Sequence, residues 1–125
     1  MIIHEVSATF CPYYHHAIEL IGRRWTGAIL RAIFGGHIRF SDIAHAVPGL
    51  SDRLLSERLK ELEAEGVIVR NVYPETPVRI EYCLTEKGRA LGEVMDAVAR
   101  WAHDWLSPVS ESEQSVRDSV SVSVR

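Results

Sequence analysis

Apolar residues recur at helical spacing along most of the chain, and the pattern turns to alternation only near its middle. Tyr14, Ala17, Ile18 and Ile21 form one stripe, on a helix opened by Pro12, whose missing amide suits the first helical position. After Gly22, Trp25, Ile29, Leu30 and Ile33 make a second stripe that the Gly35-Gly36 pair should end. His37 to Phe40 is short enough for a small edge strand, and Ser41 is the expected N-cap of a third helix whose inward face is Ile43, Ala44 and Val47. Pro48-Gly49 then turns the chain, Leu50 plugs the corner, and Ser51 caps a longer helix in which Leu55, Leu59 and Leu62 share a stripe. Gly66 fits the position just past that helix, and Val67, Ile68 and Val69 begin a strand at once. In the returning run, Val78, Ile80, Tyr82 and Leu84 fall on one face and Arg79, Glu81 and Cys83 on the other, with Pro74 and Pro77 bracketing the tip. Thr85 caps a last long helix with an apolar face of Leu91, Val94, Met95, Val98, Trp101, Ala102 and Trp105.

This order predicts a mainly α fold with a small β-hairpin wing, an α+β winged helix-turn-helix. A helix held away from the core by a second helix, with a hairpin beside it, has one common use, reading duplex DNA. Composition sets limits on that reading. The 125 residues make one domain with 46% apolar and 25% charged residues, as in an ordinary soluble protein. No apolar run approaches the roughly 20 residues of a membrane helix, so no membrane partner is expected. The start of the chain lacks the basic and long apolar regions of a signal peptide, which predicts a cytoplasmic protein with reduced thiols. The net charge of −3 argues mildly against phosphate binding. Its distribution outweighs the total, because the candidate helix and hairpin carry Arg53, Arg58, Lys60, Arg70 and Arg79, set against Asp52, Glu57 and Glu75, a supportive signal and not a strong one.

Three segments are expected: an N-terminal arm (1–10), the winged-helix domain with its dimerisation helices (11–106), and a disordered Ser/Val-rich tail (107–125) with too little apolar content to build a core. The long terminal helix carries more apolar surface than a small motif needs. A homodimer through the terminal helices is therefore expected, since half-sites repeat with two-fold symmetry and aromatic anchors are enriched at interfaces. Tyr14 and Ile18, with Trp101 and Trp105, are its expected contacts.

The Cys11-Pro12 start, ELIGRRWTGAILRAI, the glycine stop, RFSDIAHAVPGLSDRLLSERLKELEAEGVI and EYCLTEKGRAL follow one another in an order that resembles the HxlR family of bacterial winged-helix transcription regulators. The likeness covers 11–106. It implies a cytoplasmic, DNA-binding regulator, expected to repress, that binds a palindromic operator as a homodimer with wings on the flanking minor groove. On this resemblance the recognition helix is 51–65 and the wing 67–84. Ser51 and Ser56 would donate to phosphates or base edges, Arg53 or Arg58 would make a bidentate contact to guanine, and Lys60 and Arg79 would meet phosphate or the minor groove. On a helical wheel Arg53, Glu57 and Lys60 point away from the leucine stripe, whereas Arg58 lies beside it and has the alternative of pairing with Glu61 or Glu65.

Cys11 precedes a helix N-terminus, and His15 lies one turn along, a setting that favours a thiolate. Because members of the family use a cysteine here, the resemblance makes Cys11 a candidate sensor of oxidants or electrophiles, with a packed, inert thiol or a small-molecule effector as alternatives. Cys83 has no such setting and is expected to be inert. Cys11, His15 and His16 do not amount to a zinc site, because only two share a helical face and no fourth ligand is evident. No cofactor is expected. Two further functions remain compatible with the residues: a thiol enzyme using Cys11 with His15, against which no resolving cysteine lies close in sequence, and a winged helix that binds protein instead of DNA.

Overall fold

The computed structural model describes residues 9–108, so most of the N-terminal arm and of the Ser/Val-rich tail lies outside the described residues. The chain divides into two compact units with the boundary after Gly92. The first begins with α1 (Pro12–Ile21), α2 (Thr26–Phe34), α3 (Phe40–Ala46) and α4 (Asp52–Ala64). There follow β1 (Ile68–Tyr73), β2 (Arg79–Leu84), the single turn α5 (Glu86–Arg89) and α6 (Leu91–Trp105).

The helix boundaries follow from caps. In α1, Pro12 takes the first helical position and the Gly22 N–H closes the far end on the Ile18 carbonyl. Ser51 caps α4 by accepting from the Leu54 N–H at 3.2 Å, and Gly66, at φ 77°, supplies the left-handed residue that releases the chain into β1. The strands pair antiparallel from Ile68 opposite Leu84 to Tyr73 opposite Arg79.

Four local expectations are corrected. Trp25 is not the first turn of α2 but its N-cap, in a left-handed conformation at φ 77° that bulky residues rarely adopt. The third helix starts two residues early, at Phe40, because the extended Arg39 offers its carbonyl to the Ile43 N–H at 2.9 Å; Ser41 therefore lies inside the first turn, not at the cap. With Phe40 in the helix, His37 to Phe40 forms no strand, and the Ile38 carbonyl makes a single bond to the Tyr82 N–H of β2 at 2.7 Å. The last helix is divided at Ala90, whose near-helical angles (φ −63°, ψ −21°) make the division a local loosening and not a turn.

The core of the first unit is Ile29, Leu30, Ile43, Leu55, Leu59, Leu62, Val67 and Ile68, each at most 2% exposed. At roughly 1.5–3 kcal/mol per buried aliphatic side chain, these hold α2, α3, α4 and the base of the hairpin together. Thr85 locks the exit of the hairpin: its hydroxyl donates to the Gly66 carbonyl at 2.5 Å, and its oxygen accepts from the Gly88 N–H at 3.0 Å. Gly88 is required there, because a Cβ would sit 2.0 Å from the Val67 carbonyl oxygen.

Glu93 and the residues after it form the second unit, which among the described residues is the body of α6. The helix is strongly amphipathic, yet none of its residues is buried. Val98, Trp101 and Trp105 are each more than half exposed.

Candidate nucleic-acid interface

The site is built on α4, whose two faces are chemically distinct. Leu55, Leu59 and Leu62 fix one face in the core, which forces residues out of phase with them to the surface. Arg53 is the freest, its side chain 89% exposed, and Lys60 and Ser51 are also exposed. The Ser51 oxygen already accepts the capping bond, so its hydroxyl proton remains available to an acceptor outside the protein. Glu57 shares this face and reaches Arg53 at 3.5 Å, one turn away. That pair tempers the positive charge of the face and leaves Lys60 without a described acidic partner.

Arg58 is not on this face. Only 7% exposed, it donates through Nε to the Arg24 carbonyl at 2.9 Å and through Nη1 to Glu61 at 3.3 Å. Its guanidinium is a brace between α4 and the segment before α2, the alternative that the sequence left open, and the expectation of a guanine contact is corrected for that reason. Glu61 also takes Arg23 at 3.1 Å, and Glu65 is held by His16 at 2.6 Å, so acidic residues on α4 tie it to α1 and to the segment after it.

Arg79 is likewise engaged inside the wing. Its Nε and Nη2 donate to Glu75 at 3.1 and 2.9 Å, its Nη1 donates to Glu81, and its plane lies 3.8 Å from the centre of the Tyr73 ring. These bonds raise the guanidinium further above its already high value, and the same contact lowers the Glu75 carboxyl from its ordinary 4.5. The wing arginine is neutralised by two carboxylates where the sequence suggested an open cation.

One basic residue registers in the sequence only as charge. Arg70 on β1 is exposed, stands opposite Tyr82, and with Ser56, Lys60 and Glu63 lines a groove of about 370 Å³ between α4 and the hairpin. The signal that finds it is the pairing register, which joins Arg70 to the face of Tyr82; alternation within the returning strand alone does not show this.

Cys11 is half-buried and caps α1, its Sγ accepting from the Tyr14 N–H at 3.5 Å. His15, expected to act on that thiol, is instead 3.6 Å from Glu19 and packs at a tilt against Phe10 with ring centres 5.1 Å apart. Cys83 is a free, half-buried thiol on β2. Tyr14 and Ile18 are exposed, as are Trp101 and Trp105.

A buried-stripe helix with a polar outer face, preceded by a short helix and followed by a two-stranded wing, defines a winged helix-turn-helix protein. The family model for the HxlR-like helix-turn-helix matches residues 20–110, and the chain belongs to that family. It is 50% identical over 102 residues to the HTH-type transcriptional regulator YvaP of Bacillus subtilis, covering 82% of this chain and 94% of that regulator. To the HTH-type transcriptional regulator YodB of the same organism it is 43% identical over 100 residues, 80% of this chain and 89% of YodB. The reduced form of YodB superimposes with a TM-score of 0.71 at 41% identity over 82% of this chain and all of that one. The oxidized form of the redox regulator HypR does so with a TM-score of 0.72 at 32% identity over 78% of this chain and all of that one. Structures of YodB treated with diamide and bound to a quinone also match, with TM-scores of 0.67 and 0.66. The chain is thus a DNA-binding transcriptional regulator of the HxlR-like family.

Proposed function

We propose that this regulator binds a palindromic operator as a homodimer, through the outward face of α4, and releases it when Cys11 is modified by an oxidant or electrophile. The observation that carries the DNA reading is the division of α4, with leucines and the Arg58 brace inside and Ser51, Arg53 and Lys60 exposed outside. Arg53 is the base reader, because a freely swinging guanidinium can turn from Glu57 to the paired acceptors of guanine. Ser51, Ser56, Lys60 and Arg70 are phosphate contacts that set register. Arg58 has no place in this set, and Arg79 positions the wing.

The thiol half of the proposal is supported by the half-buried Cys11 at a helix cap and by the likeness to redox regulators solved in reduced and oxidized forms. A new group on Sγ displaces the Tyr14 N–H and disturbs the first turn of α1. His16 on that helix holds Glu65 at the end of α4, which gives the disturbance a route to the recognition helix. The test is a mobility shift on the DNA upstream of the protein's own gene. Reduced wild type and Cys11→Ser should bind alike, and diamide should release only the wild type. Equal release of Cys11→Ser would remove the sensor from Cys11, and no shift by either protein on that fragment or on other promoter DNA would oppose the DNA reading.

A further inference from the structure

A cleft of about 510 Å³ lies between α2 and the end of α3, away from the outward face of α4. Ala28 and Ala32 on one side, with Val47 and Pro48 on the other, give it flat, small apolar walls. Two basic side chains, Arg31 and His37, also line it, and no carboxylate does. Neither of the two has an acidic side-chain partner among the described residues, whereas Arg23, Arg53, Arg58 and Arg79 are all paired. The cleft is open to solvent along its length, and its volume would accommodate a small ligand.

Trp25 also lines this cleft, and its backbone is strained. Its backbone is left-handed at φ 77°, and its Nε1 is the only buried side-chain nitrogen or oxygen among the described residues that lacks a hydrogen-bond partner. Strain of this kind and an unpaired buried donor are features that concentrate where a protein is prepared for a ligand. The position also matters mechanically. A Cβ at Gly49 would lie 3.4 Å from Trp25 Cη2, so the indole packs directly on the turn that leads into the Ser51 cap of α4.

We infer that this cleft is an effector site for a small planar organic anion, an aromatic carboxylate. The ring lies between the alanines of α2 and Val47-Pro48, and the carboxylate takes the guanidinium of Arg31 with support from the His37 imidazole. A tilt of the indole edge toward the ligand gives Nε1–H the acceptor it lacks and moves the α3–α4 turn. The inference is independent of Cys11 and of how α4 meets DNA, because binding is measured on the protein alone.

The probe is 2-naphthoate, titrated into the isotopically labelled full-length protein while the methyl signals of Ala28, Ala32 and Val47 are followed. Saturable shifts of these methyls are expected, with binding weakened about tenfold by Arg31→Ala, the loss of roughly one charge-assisted hydrogen bond. Arg31→Lys should recover part of that loss, and 2-naphthamide, which lacks the charge, should bind wild type about as weakly as naphthoate binds Arg31→Ala. Arg31 is exposed, so its variants should keep the wild-type methyl spectrum in the absence of probe. The inference is overturned if the three methyls do not respond, or if the charge on either side proves immaterial to affinity.

Discussion

Arg53 and Arg58 are five positions apart on one helix and have opposite settings, one exposed and facing away from the leucine stripe, the other buried at its edge. Arg58→Ala should remove a brace and leave the Arg24 carbonyl and Glu61 short of a donor, a cost of roughly 2–3 kcal/mol in a site only 7% exposed. Urea denaturation should show that loss as a lower midpoint. An unchanged midpoint with altered operator preference would return Arg58 to the DNA face. The helical wheel placed Arg53, Glu57 and Lys60 outward and Arg58 at the margin, as the structure does. It had no means of showing the Arg24 carbonyl, 34 residues away, because a tertiary acceptor leaves no mark on local spacing. The pairing of Arg79 with Glu75 and Glu81 was hidden for a related reason, since alternation along a strand shows which face a charge lies on but not which neighbours it bonds.

At the scale of elements, caps and turns were legible, and tertiary geometry was not. Ser51, Gly66, Thr85 and the Pro12 start announce their roles by residue type alone. The left-handed Trp25 does not, since nothing local favours it there. Gly88 looks like a poor helix residue, yet it lets α5 meet Val67, at the entry to β1, closely. Gly88→Ala should cost about 2–3 kcal/mol by overlap with the Val67 carbonyl, measured as a drop in Tm, and full stability would mean that α5 moves aside freely. The wing carries a pH prediction. Because Arg79 lowers the Glu75 carboxyl, the pair contributes fully above the ordinary carboxylate value of 4.5 and is lost as pH falls through the lower value of the folded wing. The Glu75 carboxyl carbon shift should therefore stay constant from pH 7 to about 5 and titrate below 4.5. Titration at or above 4.5 would show that the pair does not persist in solution.

For the whole molecule, the open question of the fold is the apolar face of α6, where Trp101 and Trp105 are 58% and 59% exposed. A second copy is the proposed cover. Replacing both tryptophans by alanine should weaken the dimer by roughly 2 kcal/mol or more per anchor. Sedimentation should then show monomers at concentrations where wild type is dimeric, with weaker binding to a two-half-site operator. A wild-type monomer at micromolar concentration would remove the dimer from the account. The aromatic spacing of this helix was plain in the sequence; its partner was not, because one chain's pattern shows that a face needs cover without showing what provides it.

The most direct measurement is the affinity of wild type, Arg53→Ala and Lys60→Ala for operator and for unrelated duplex DNA, each over a range of salt concentrations. Arg53→Ala should lose roughly 1–3 kcal/mol on the operator and little on unrelated DNA, whereas Lys60→Ala should weaken both and reduce the salt slope by about 1. Equal, small effects of both substitutions on both DNAs would contradict the assignment of the outward face of α4 as the surface that reads sequence.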